Sequence, residues 1–320
     1  MNEFLVIKKY FPNLANKNRG SFDLTDDIFF DYKKKVGISI DTYVEGTHFL
    51  NFKNPNLVIK KVLRGAISDL ICKGIIPKYY FMSCSANKKH LTQVNLARIK
   101  LALKQEQKKY NIFLAGGDTS YSNKLSITVS VIGYSKKSPI LRSGAKVNDD
   151  IYITNTIGDA FVGLKLLKGK IKLSKKNSDY FVRRFYLPIL PIKFSKKIHL
   201  FANSAIDISD GFFQDLQHIL SRSNLSSKIF KNKIPISSYL NSYLIKTKKN
   251  KLNFISNGDD YQILFTASKK MRHLIKKISK STSTKASIVG IVKSKSISNN
   301  TQSTEEKFKF PKKLGYIHNF

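Results

Sequence analysis

The sequence predicts a two-domain α/β (α+β) protein, and three observations carry that prediction. Short apolar runs that read as strands are interleaved with longer segments at helical spacing. Several of those runs end in an aspartate with a glycine close by, as at Asp41, Asp118 and Asp207. The chain has 320 residues, enough for about two domains with a real core. Residues 139–145 read as the hinge, dividing the chain into 1–139 and 140–320.

Taken in order, a first helix leads through a polar linker at 16–21 to the acidic stretch 22–29. A strand at 36–40 ends at Asp41-Thr42, and 44–49 turns toward a helix. In that helix, 55–71, Leu57, Val58, Val62, Ala66 and Leu70 keep helical spacing, and Ser68-Asp69 lies near its end. Gly74 and Pro77 stop it. A strand at 79–86 and a long amphipathic helix at 91–110 follow. The run 112–115 is predicted to stop at Gly116-Gly117, where two residues without Cβ allow a sharp turn and close approach to a ligand. Asp118 comes next. Ile127, Val129 and Val131 alternate along a strand at 125–134.

Beyond the hinge, 151–154 reads as a strand and 158–167 as the start of a helix. Residues 204–211 form another strand-to-helix junction, continued by a helix at 212–221. Gly258-Asp259-Asp260-Tyr261 precedes a strand at 262–266. The Ser/Lys/Asn-rich stretch 281–307 holds one strand, 287–292, and is otherwise loop.

Lys and Arg total 57 against 21 Asp and Glu, a formal charge of +36 that points first toward nucleic acid. The lysines are instead spread from Lys8 to Lys313, and the dense runs at 33–35 and 269–280 lack interleaved aromatics. No specific nucleic-acid partner is predicted. No apolar run approaches the roughly 18 residues of a membrane span, and no basic segment precedes an apolar leader core. A cytoplasmic protein without a membrane partner is the expectation. Cys72 and Cys84 lack CxxC spacing and read as buried free thiols.

The acids carry the chemistry. Asp27, Asp41, Asp69, Asp118, Asp207 and Asp210 each fall at a strand end, turn or helix end. Carboxylates about 4 Å apart repel by about 4 kcal/mol at an effective dielectric near 20. Gathered at one site they need divalent cations between them, and hard oxygen donors suit Mg²⁺ bridging to phosphates. Neither GxxxxGK[ST] nor a strand-linked GxGxxG is present, so the usual nucleotide loops are absent. Taken singly, Asp26/Asp27 and Asp259/Asp260 also read as caps or turn residues. His48 alone reads as structural, Ser209 as a cap and Arg142 as a surface cation.

Together the motifs resemble one family. Residues 40–49, with Asp41-Thr42, Val44 and Gly46-Thr47-His48-Phe49, are similar to a signature stretch of thiamine-monophosphate kinases, within the aminoimidazole ribonucleotide synthetase superfamily. Ser68-Asp69-Leu70, Gly116-Gly117-Asp118-Thr119, Leu141-Arg142-Ser143-Gly144-Ala145, Asp207-Ile208-Ser209-Asp210-Gly211 and Gly258-Asp259-Asp260-Tyr261 match in order, as does the closing Gly315-Tyr316-Ile317-His318-Asn319-Phe320. The resemblance implies ATP as co-substrate and Mg²⁺, with thiamine monophosphate attacking directly to give thiamine diphosphate and ADP. It implies metal contacts at Asp27, Asp41, Asp69, Asp118, Asp207 and Asp210, with Asp118 and Asp210 catalytic. Nucleotide contacts fall on Gly117, Asp118, Arg142 and Ser209, and substrate contacts on His48, Asp259 and Tyr316. The implied fold is a homodimer whose N-terminal domains contribute strands to a shared β-barrel, each with a C-terminal α/β domain.

Two departures stand out. The family's glycines before the first metal position are missing from Phe22-Asp23-Leu24-Thr25-Asp26-Asp27, which leaves the choice between Asp26 and Asp27 open. Asp259 stands where the family has Glu and reaches about 1.5 Å less. The competing readings are another ATP-dependent enzyme of the superfamily, such as a ribonucleotide synthetase, or a basic non-catalytic binding module.

Overall fold

The computed structural model describes residues 3–15, 17–295 and 314–317. Asn16, the loop expected over 296–307 and the closing His318-Asn319-Phe320 lie outside the described residues.

Five strands form the first sheet: β1 (Phe29–Asp31), β2 (Val36–Val44), β3 (Ile76–Ala86), β4 (Phe113–Tyr121) and β5 (Ser126–Tyr134), in the order β1-β2-β5-β3-β4. Only β3 and β4 run parallel. That pairing needs a crossover, which the helix Gln93–Tyr110 supplies. The helix Pro55–Cys72 begins with Pro, which is tolerated where the first N–H lacks a partner anyway. Its Val58, Val62, Ala66 and Leu70 are fully buried in one core with Ile127, Val129 and Val131 of β5. The helix ends before Gly74, whose φ of 77° is in the region glycine favours.

Two expected strand ends are corrected. β2 does not stop at Ile40 but carries Asp41 and Thr42 within the strand. β4 runs through Gly116-Gly117-Asp118 without a turn. Neither glycine has positive φ, and the reason for Gly117 is packing: a Cβ there would run into the backbone oxygen of Met82 on β3.

The second sheet comprises β6 (Asp150–Thr154), β7 (Ala202–Asp207), β8 (Leu225–Ile229), β9 (Ile263–Ala267) and β10 (Ala286–Ser294), in the order β7-β9-β6-β10-β8, with every pairing antiparallel. The α+β half of the expected class therefore describes both sheets better than the α/β half. The helix Lys175–Tyr186 was not foreseen, because its apolar positions sit among Lys, Asn and Arg. Its Phe185 and Tyr186 are buried in the core of the first sheet, so it straps the two halves together. Similarly, the lysine run at 269–280 falls largely in the amphipathic helix Arg272–Ser281, which buries Ile275 and Ile278. Cys72 is buried as expected, whereas Cys84 is only partly so. No helix among the described residues is long and apolar enough to cross a membrane.

A buried ion pair ties the two long helices of the first half. Arg64 donates from Nε to Glu106 Oε2 at 2.7 Å and from Nη2 to Oε1 at 2.8 Å. Its Nη1 reaches Pro188 O at 3.0 Å. Removing one member of such a pair strands the other charge, so Glu106→Ala is expected to cost about 3–5 kcal/mol in urea unfolding. A loss below about 1 kcal/mol would mean the pair is not buried in solution.

Candidate active site

A cleft of about 1320 Å³ collects most of the residues singled out from the sequence. Asp27, Asp41, Asp69, Asp207 and Asp210 line it, with Arg142 and Ser209. His48, Asp259 and Tyr316 line it as well. Strand β2 (Asp41), the helix Pro55–Cys72 (Asp69), the end of β7 (Asp207) and loops of both halves deliver them, which is why the positions are so far apart in sequence.

Gly117 and Asp118 are the exceptions. Both lie on β4, the exposed edge strand, and neither lines the cleft. Asp118 is in register with Ser83 of β3, Ser83 with Thr128 of β5, and Thr128 with Thr42 of β2. At about 4.8 Å per strand, that places Asp118 about 14 Å across the sheet from the Asp41 end of the cleft. One chain does not bring Asp118 to the other aspartates.

The clustered carboxylates are held with few counter-charges. Burial pushes the Asp41 carboxyl up to about 6, against the Tyr43 hydroxyl that donates to it at 2.8 Å, and the Asp207 charge adds to the rise. Asp69 is pushed well above the usual carboxylate range by burial and then by Asp41 and Asp207. Burial also raises Asp207, opposed by the Ser68 hydroxyl donating at 2.5 Å. Asp210 rises to about 7 through burial, then through Glu3 and Asp207. This is a donor set of hard oxygens in a low-dielectric pocket, and it fits Mg²⁺ better than a soft metal.

The same shifts set a pH dependence. A carboxyl whose folded pKa exceeds its ordinary 3.8 binds more protons folded than unfolded, so stability falls as pH rises toward the folded values of about 6 and 7. Without divalent ions, Tm is expected to drop from about pH 5 to about pH 8, and added Mg²⁺ should restore most of it at the upper end. A flat profile in chelator would show that these acids do not meet.

Hydrogen bonds fix the opposite wall. Asp259 N donates to Ser209 O at 2.9 Å, Tyr261 N to Ile208 O at 2.8 Å and Tyr316 N to Asp210 O at 3.0 Å. Gly258 permits this approach, since a Cβ there would collide with Ser209 O. Asp259 itself has φ of 69° and lines the cleft. Asp260 points away, is buried and accepts from Gly158 N at 2.8 Å. Of this pair, one residue is a site candidate and the other is a cap for the helix Asp159–Leu167. His48 Nδ1 accepts from Val44 N at 2.9 Å, which pins the imidazole over the turn after β2.

Four residues escaped the sequence reading. Lys61 is fully buried, and its Nζ lies 2.5 Å from Asp259 Oδ1. Lys73 is equally buried beside Asp26 and Asp27. Both were hidden by a lysine-rich composition. Asp215 accepts from Gly211 N at 3.0 Å at the start of the helix Phe212–Arg222. His218, one turn on, packs against Phe4 and is held down to about 3 by burial and by Arg142. Their i, i+3 spacing was the available signal.

Residues 25–135 match the family described as AIR synthase related protein, N-terminal domain. With one mixed and one antiparallel five-stranded sheet and an aspartate-lined cleft, the chain is of the AIR synthase-like class. It belongs, more narrowly, to the thiamine-monophosphate kinase family. The thiamine-monophosphate kinase of Buchnera aphidicola subsp. Acyrthosiphon pisum (strain APS) is 35% identical over 99% of this chain and 98% of its own length. That of Bacillus subtilis (strain 168) is 30% identical over 99% of both. A solved structure described as AaThiL complexed with AMPPCP and TMP superposes with a TM-score of 0.81 at 28% identity, covering 92% of this chain and 91% of that one.

Proposed function

We propose that this chain transfers the γ-phosphoryl group of ATP to thiamine monophosphate, yielding thiamine diphosphate and ADP. The observation that carries the reading is a cluster of buried and half-buried acids, Asp41, Asp69, Asp207 and Asp210, sharing one cleft with Arg142, Ser209, His48, Asp259 and Tyr316. Family relatives of that name match over the whole chain, and the ligands named for the solved relative are an ATP analogue and TMP.

Asp41, Asp69, Asp207 and Asp210 would hold Mg²⁺, with Asp27 at the rim; bound there, the metal would offset phosphate charge during transfer. The protein's share is positioning. Arg142 and Ser209 orient the nucleotide phosphates, and the His48 and Asp259 side aims the thiamine phosphate oxygen in line. No phosphoenzyme is needed, since the substrate phosphate is itself the nucleophile.

A homodimer belongs to the same proposal. Ile40 is 67% exposed, Phe81 41% and Leu114 48%, apolar surface on a sheet that ends in the edge strand β4, whose outer side meets no other strand among the described residues. Pairing with a second copy would cover this surface and bring that copy's Gly117 and Asp118 toward the cleft. Residues 1–139 then serve metal binding and pairing, while 140–320 complete the nucleotide and substrate sides. A cytoplasmic setting, with its ATP and Mg²⁺, is part of this reading.

The test is product analysis. Purified protein with Mg²⁺, ATP and thiamine monophosphate is expected to form thiamine diphosphate and ADP in equal amounts by chromatography. ADP without thiamine diphosphate, or no turnover, would overturn the assignment.

A further inference from the structure

The acids of the cleft divide into two groups by what neutralises them. Asp26 and Asp27 are already matched by protein cations. Lys73 Nζ lies 2.7 Å from Asp26 Oδ1 and 3.3 Å from Asp27 Oδ2, and it donates to Ala205 O at 2.8 Å. The Arg142 backbone N–H takes Asp26 Oδ2 at 2.8 Å, while its guanidinium engages both oxygens of Asp27, with Nε at 3.0 Å from Oδ2. Two carboxylates meet two cations. By contrast, Asp41 and Asp207 form no direct ion pair with Lys73 or Arg142; their side-chain donors are the hydroxyls of Tyr43 and Ser68, and the two cations act on Asp207 only from a distance.

Lys73 is the unusual member of this set. Its side chain is 0% exposed, directly after the helix Pro55–Cys72, and the Asp26 side chain is 3% exposed. A buried ammonium survives only with partners on its protons, and here two carboxylates and a carbonyl surround it as oxygens surround a metal ion. It is tethered, so it cannot leave as an ion can.

We propose that Lys73 is a built-in cation that takes the place of one divalent ion at the Asp26–Asp27 end of the cleft. Exchangeable metal is thereby confined to the Asp41, Asp69, Asp207 and Asp210 end. The inference rests on the cleft being a metal site, and it answers the choice between Asp26 and Asp27: Asp26 serves Lys73. Asp27, shared by Lys73 and Arg142, is a ligand only at second call.

The test counts bound metal. Mn²⁺, whose free form is read by electron paramagnetic resonance, is titrated into the full chain with β,γ-methylene ATP, and binding by nucleotide alone is subtracted. Lys73→Ala, which opens room for a hydrated ion, is expected to bind one more Mn²⁺ per chain than the parent. Asp26→Asn, which keeps Lys73, is expected to leave the parent's count unchanged, and it decides the matter should the first variant fail to fold. Equal counts for Lys73→Ala and the parent, or a lower count for Asp26→Asn, overturn the inference while the metal site stands. No Mn²⁺ beyond that carried by nucleotide, in any of the three, removes the metal site and the inference together.

Discussion

Asp210→Asn is expected to reduce kcat by roughly a hundred- to a thousandfold, as losing one preorganised charge at a reacting phosphate does. The variant should stay folded, because Asp210 is tied to the fold through its backbone oxygen and the Tyr316 N–H. Asp118→Asn is expected to be comparably inactive for a different reason, since Asp118 lies three strands away on β4. If a second copy supplies it, mixing the two dead variants must revive activity. A mixed dimer has one site with both changes and one with neither. Random exchange then restores about a quarter of parental activity per total protein, from symmetric-dimer counting. Steady-state assays on the co-refolded mixture read this directly. No recovery, or a fully active Asp118→Asn, would remove Asp118 from the site.

The second large effect is at Lys61. Its ammonium sits 2.5 Å from Asp259 Oδ1, reaches Phe185 O at 3.3 Å and lies 3.8 Å from the Phe185 ring centroid. Tyr261 OH donates to the same oxygen of Asp259 at 3.1 Å, so both anchors fall on Oδ1 of a residue that lines the cleft. Truncating one member of a buried charge pair costs about 2–5 kcal/mol. Lys61→Met is therefore expected to raise KM for thiamine monophosphate at least about tenfold, with KM for ATP nearly unchanged. A rise shared equally by both substrates would mean that Lys61 acts on the whole fold. Lys61 also explains how an Asp can stand where a Glu is longer: the shorter carboxylate is held from below rather than reaching alone.

Much of this site was legible in the residues. Asp41, Asp69, Asp207 and Asp210 stood out because acids are scarce in a chain with 57 Lys and Arg. The strongly patterned elements, such as the helix Pro55–Cys72 and β5, were equally readable. What hid was pairing. Nothing local tells that Gly116-Gly117 continue a strand, because their fitness depends on Met82 of a neighbouring strand. The lysines hid for a statistical reason: in so basic a chain, Lys61 and Lys73 look like surface charge, and only burial separates them. The helix Lys175–Tyr186 failed to show because its aromatic anchors Phe185 and Tyr186 join a core that includes the helix Pro55–Cys72, more than a hundred residues earlier in the chain.

The ladder of backbone bonds from Ile208, Ser209 and Asp210 to Tyr261, Asp259 and Tyr316 has a thermodynamic meaning. In the proposed function these residues would face the nucleotide, the metal and the thiamine phosphate, and the shared backbone bonds would keep any one of them from shifting without the others. Occupying any one of the three positions is then expected to prepay part of the ordering of the rest, which is heterotropic linkage. The grip on one substrate is thus written partly in the presence of the other.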